Sequence, residues 1–137
     1  MEKRDSSRDA IQKNKEKCGK ILSVSKRIRY VGMINDFGRT IAGKLRVGMV
    51  PLLNTEQAIN DHFIEATRNN LRKAFYSVIG DAIYTLTEHE KVIMLTVPTD
   101  WGFYYITLDK ETHHVEIKEI IDKNREQEKY TKKRNNP

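Results

Sequence analysis

A chain of 137 residues, 38% hydrophobic and 32% charged, has material for one modest core and too little for a second. This balance excludes a wholly disordered chain, and no apolar run approaches the roughly 20 residues that span a bilayer. The formal net charge of +6 is concentrated at the ends: residues 1–29 carry ten cations against four acids, residues 30–122 nine against thirteen, and residues 123–137 six against two.

Basic arms around a mildly acidic globule either attract nucleic acid or anionic lipid, with affinity that fades as salt rises, or keep a small domain soluble. Residues 1–17 are polar and read as a basic, frayed or disordered extension. From about residue 9 to residue 26, Ile11, Cys18, Ile21, Leu22 and Ser25 fall at helical intervals, which predicts a helix with one weak apolar stripe, interrupted at Gly19. The lone Cys18 permits no internal disulfide and no cysteine pair for zinc. Lys15, Lys17 and Lys20 beside it would favour a reactive thiolate, whereas its place on the apolar stripe favours a small buried hydrophobe. A charged start without a following apolar segment and a single cysteine together predict a cytoplasmic protein.

Residues 28–35 are short, β-branched and aromatic, and Asn35-Asp36-Phe37-Gly38-Arg39 follows as a turn, so a hairpin with a second strand over 40–47 is expected. Gly43 inside that strand predicts a bulge or a close backbone approach. Pro51 marks a connection. Asn54-Thr55-Glu56-Gln57 has the pattern of a capping box, and Ile59, Phe63, Ala66, Leu71, Phe75 and Val78 continue at helical spacing, predicting one helix over 54–79 that stops at Gly80. Strands are expected over 82–87, 91–96 and 103–108, joined by Glu88-His89-Glu90 and by Pro98 to Gly102. In the last two strands both alternating sets are apolar or aromatic, so both sheet faces need cover: one from the long helix, the other from a terminal helix or a second copy. A last helix is expected from Thr112, with Ile117, Ile120 and Ile121 on its apolar side, followed by a charged tail over 125–137.

With the N-terminal helix counted, the order is helix, two strands, helix, three strands, helix, which predicts a single five-stranded antiparallel sheet of α+β class. This order, with Tyr30-Val31-Gly32-Met33-Ile34-Asn35-Asp36-Phe37-Gly38-Arg39-Thr40-Ile41-Ala42 as the opening hairpin, resembles the roadblock family of small profilin-like domains. The segments Ile28 to Gly32, Val50 to Leu53 and Lys91 to Met94 are also similar to a group of small uncharacterised proteins from ammonia-oxidising archaea. The resemblance covers residues 18–124. It implies a homodimer built through the long helix and the neighbouring strand, serving as a platform for protein partners such as a small GTPase.

No phosphate loop, dinucleotide fingerprint or nucleophile elbow is present, and no enzyme activity or cofactor is expected. Glu88 and Glu90 lie in a turn and read as solvated acids. Adjacent His113 and His114 would point about 100° apart on a helix and do not suit one metal ion. His62 reads as a core-edge residue, and His89 sits in a turn. Arg68, Arg72 and Lys73 on the long helix form a candidate interaction patch, or a solvated face with local ion pairs to Glu65. Trp101 in its turn either marks a contact or folds back over the sheet. If the ends bind nucleic acid, Tyr30, Tyr130 and the Lys132-Lys133-Arg134 cluster are the expected contacts.

Overall fold

The computed structural model describes the backbone of residues 2–135 and the side chains of residues 8–129. In chain order it contains α1 (Glu2–Leu22), β1 (Ile28–Asn35), β2 (Thr40–Leu45), α2 (Thr55–Arg72), a 3-10 turn (Lys73–Phe75), α3 (Tyr76–Ile79), β3 (Thr85–Glu88), β4 (Val92–Pro98), β5 (Gly102–Asp109) and α4 (His114–Asn135). The strands form one sheet in the order β2-β1-β5-β4-β3, and every neighbouring pair is antiparallel. The sheet therefore ends in two open edges, β2 and β3.

Strand alternation sends Val31 and Met33, Ile93, Leu95 and Val97, and Tyr104, Ile106 and Leu108 to one face. There they pack against Cys18, Ile21 and Leu22 of α1 and Ile117, Ile120 and Ile121 of α4. Ile34, Phe103 and Tyr105 point to the opposite face, where Ala66 of α2 meets them and Tyr30 and Met94 flank them. Two helices cover the first face and one helix the second. Most of the apolar burial lies on the first.

The terminal elements are longer than the sequence suggests. Helix α1 begins at Glu2, inside the stretch expected to be frayed, and runs through Gly19 without a break. Helix α4 continues to Asn135 through the expected tail. Both stretches are rich in Lys, Glu, Arg and Gln, which have high helical propensity without an apolar pattern. The middle helix is shorter than expected, because the chain tightens to a 3-10 turn at Lys73 before α3 ends at Gly80. Strand β3 starts at Thr85, so residues 82–84 lie outside the ladder. At Gly43 the close approach is made by a side chain and not by backbone: a Cβ there would lie 2.1 Å from the Tyr30 hydroxyl.

Arg46 locks the junction between α1 and β1. Its Nε donates to Ile28 O, and its Nη2 donates to both Leu22 O and Ser25 O, each at 2.7 Å. Leu22 O is one of the carbonyls that the end of α1 leaves without a helical partner, and the other two belong to the connection and to the first residue of β1. The start of α4 is tied to the same junction through Glu116, which accepts from the Ser25 hydroxyl and pairs with Arg27 at 3.4 Å.

Candidate interaction surface

Helix α2 starts as the sequence dictates: Asn54 Oδ1 accepts from Gln57 N at 2.8 Å, and Asn54 N donates to Gln57 Oε1 at 3.0 Å. Its orientation is the unexpected part. The row facing the sheet is His62, Glu65, Ala66 and Asn69. The apolar row of Ile59, Phe63, Leu71, Phe75 and Val78, expected as core, faces outward, with Phe63 at 63% and Val78 at 84% exposure. Ile79, Ile83 and Tyr84 extend this exposed row toward the free edge of β3. The helix thus turns its polar side to the sheet and leaves its apolar side exposed.

The buried row is held by specific polar contacts. Tyr105 donates its hydroxyl to Asp61 Oδ2, and the His62 ring meets the Tyr105 ring edge-on at 4.6 Å. His62 Nδ1 lies 3.4 Å from Thr40 Oγ1. Burial pushes the His62 pKa below its ordinary value, against an opposing pull from Asp61, so the ring is neutral at pH 7. Burial raises the Tyr105 pKa, with the bond to Asp61 adding to it. Glu65 is 5% exposed; one carboxylate oxygen accepts from Arg68 Nη1 at 3.3 Å, and Oε2 has no partner. Burial raises its pKa, and Arg68 offsets only part of that.

This sets the sign of a pH effect. A carboxylate whose folded pKa is raised opposes folding as pH climbs past its unfolded value near 4.5. Glu65→Gln is therefore expected to match the native chain at pH 4 and to exceed it in stability at pH 8. Denaturant unfolding at the two pH values checks this; equal stabilities at pH 8 would contradict it.

The other candidate residues separate in space. Arg68 and Arg72 share the exposed flank of α2, while Lys73 turns away to pair with Asp36 Oδ1 at 3.3 Å. Asn70 Nδ2 adds a 2.9 Å bond to Asp36 O, so the β1–β2 turn is fastened to the end of α2. Trp101 lies on the opposite side of the sheet, half-buried: its ring packs edge-on to Tyr104 at 5.0 Å, and Nε1 donates to Glu128 at 3.4 Å. Glu128 also accepts from the Tyr104 hydroxyl and approaches Lys17 at 3.9 Å. Together with the bond from Gln127 to Lys17 O, this brings α4 alongside α1. Tyr30 belongs to the α2 side, packed edge-on to Tyr105, and does not join the terminal helices. The side chains of Tyr130, Lys132, Lys133 and Arg134 lie outside the described residues.

Cys18 is fully buried, and desolvation pushes its pKa up to about 11 against the pull of Lys44 and Lys17, so it is an inert thiol. Glu88, His89, Glu90, His113 and His114 are all exposed. Among the described residues no three His, Cys, Asp or Glu side chains are grouped to hold a metal ion, and no helix is long and apolar enough to cross a membrane.

Between α2, the connection over residues 46–54 and the sheet lies a cleft of about 400 Å³. Leu45, Leu53, Ile59 and Met94 supply apolar wall, and Arg29, His62 and Tyr105 supply its polar points. No local sequence pattern marks its residues, because its walls come from four strands, α2 and a loop.

Compared with solved structures, the chain superimposes on gliding protein MglB from Thermus thermophilus with a TM-score of 0.68 at 13% identity, covering 84% of each chain. An MglB with tetrameric arrangement gives the same values. A Roadblock/LC7 domain from Streptomyces avermitilis gives 0.58 at 8% identity, covering 81% of this chain and 93% of that one. The fold is roadblock-like. No protein-family profile matches the sequence, and no curated protein matches it. The roadblock-like arrangement of helices and sheet is thus established by shape, at identities too low to carry residue roles across.

Proposed function

We propose that this roadblock-like chain is a non-enzymatic, cytoplasmic homodimer that serves as a platform for protein partners, a small GTPase among them. The single observation that carries the reading is the outward apolar row of α2 and α3, continuous with Ile83, Tyr84 and the open edge of β3. In a two-fold dimer the row on one protomer meets the same row on its partner, and the two β3 edges pair to continue the sheet. Each Å² of apolar surface so covered contributes about 25 cal/mol. The likeness to roadblock folds, one of them an MglB with tetrameric arrangement, supports the assignment. Arg68 and Arg72 flank the row and offer charge to an acidic partner, while Trp101 and Lys73 are secondary contact candidates.

The setting of the histidines supports the non-enzymatic reading. His62 is buried and neutral, with only the Thr40 hydroxyl near its ring at 3.4 Å, while His89 in the β3–β4 turn and the adjacent His113 and His114 at the start of α4 are exposed.

The double variant Phe63→Asp with Phe75→Asp is expected to weaken self-association at least about 100-fold, since two charges would be desolvated in an apolar contact. Both side chains are exposed in the single chain, so circular dichroism should be unchanged. Light scattering at micromolar concentration reads the outcome. A variant that stays as associated as the native chain would remove the α2 row from the interface.

A further inference from the structure

We infer that the cleft under α2 binds a small amphipathic carboxylate, with its acid at Arg29 and its apolar chain running along the sheet toward Met94 and Tyr105. The cleft volume of about 400 Å³ lies in the range of small-molecule sites, and its walls are mainly aliphatic. What selects an acid is Arg29. The β1–β5 register slips between Ile28 and Tyr30, leaving Arg29 as the extra residue of a bulge that turns its side chain to the α2 side.

There the guanidinium side chain is only 17% exposed. It donates to Val50 O at 3.1 Å and to Asp109 Oδ1 at 3.4 Å, and Asp109 is itself 39% exposed. An arginine has five N–H donors, and two acceptors leave others free at a residue that lines the cleft. A wholly apolar ligand would bury those donors unmatched; a carboxylate would take them in a forked pair.

The other end of the cleft makes no such demand. Tyr105 already gives its hydroxyl to Asp61, and His62 is packed on the Tyr105 ring and approaches Thr40. Tyr105 pairs with Gly32, three residues along β1 from Arg29, which places the two ends about 10 Å apart. A medium-length alkyl chain spans that distance. The exposed Pro51 and Leu52 line the same cleft and give an apolar approach to it.

The test uses decanoate, below its micelle-forming concentration, and decanol as the uncharged probe, titrated into the full chain by calorimetry while the Met94 methyl signal is followed by NMR. One site per chain is expected, with a saturable Met94 shift for both probes. Arg29→Gln should weaken decanoate at least tenfold and leave decanol within twofold, while Arg29→Lys keeps part of the preference. Ala58→Phe, which fills the cleft, should abolish both; thermal melts establish that each variant folds. No saturable binding to the native chain would overturn the inference, as would equal losses of both probes in Arg29→Gln. Dissociation of the dimer by decanoate with the same midpoint as binding would also overturn it, since the cleft would then be covered by a second copy.

Discussion

Gly102→Ala is expected to lower the thermal midpoint by about 10–15 °C, the equivalent of about 3 kcal/mol in a domain of this size. Gly102 opens β5 at φ +149°, a conformation that side-chain-bearing residues rarely adopt. A Cβ built there would lie 2.0 Å from the carbonyl oxygen of Ile34 and 2.8 Å from Cα of Asn35. Both obstacles are backbone of β1, the strand paired with β5, so no side chain can swing aside. The two central strands would have to part at Asn35 and Gly102, where their ladder ends. Ile34 and Phe103, both fully buried under α2, would be displaced with them. A variant melting within a few degrees of the native chain would show that β1 and β5 tolerate separation here.

Arg46→Met is expected to cost about 3 kcal/mol in denaturant unfolding, and Arg46→Lys to recover only part of it. The side chain makes three charge-assisted bonds of 2.7 Å to carbonyls that surround the C-terminal end of α1. Bonds of this kind contribute about 1.5–3 kcal/mol each when their loss leaves buried acceptors unmatched, and the cation also opposes the partial negative charge at a helix end. Methionine keeps the length and removes the donors. Lysine restores the charge at one point, but it lacks the planar fork that reaches Ile28, Leu22 and Ser25 at once. Because α1 carries Cys18, Ile21 and Leu22 into the larger core, its loosened end should also expose Cys18 to thiol reagents. Equal stability of the methionine variant would mean that water replaces the guanidinium at no cost.

Much of the scaffold is legible in the sequence because it is written in local chemistry. The bounds of β1 coincide with the β-branched run over 28–35, the hairpin turn with Asn35 to Gly38, and the start of α2 with the Asn54 capping box. Periodicity failed at the facing of α2. An apolar row at helical spacing looks the same whether it lies on a sheet or on a second protein, and here the sheet has taken the side with His62, Glu65 and Asn69. At the ends the helices run further than the apolar pattern for a related reason. Polar residues at 2–10 and 125–135 carry no burial signal, yet they are helix formers attached to helices already anchored by Ile21 and Ile120.

The residues missed altogether are those whose importance depends on distant partners. Arg46 matters because β2 passes the end of α1, Gly102 because β5 pairs closely with β1, and Arg29 because one slipped register turns it into the cleft. Asp61 and Tyr105 are 44 positions apart and meet only once the helix lies across the sheet. A lone cation or acid in a string of many gives no sign of such an encounter.

The central claim is that two copies meet through α2 and the β3 edge. Spin labels on the exposed positions Asn60→Cys of α2 and Lys13→Cys of α1, each alone, make the most direct measurement, because Cys18 is buried and will not take the label. Dipolar spectroscopy on the dimer is expected to give a sharp inter-protomer distance at Asn60→Cys, shorter than that at Lys13→Cys. A shorter distance at Lys13→Cys, or no inter-protomer signal from either with a mass in solution equal to the 16.0 kDa of one chain, would contradict it.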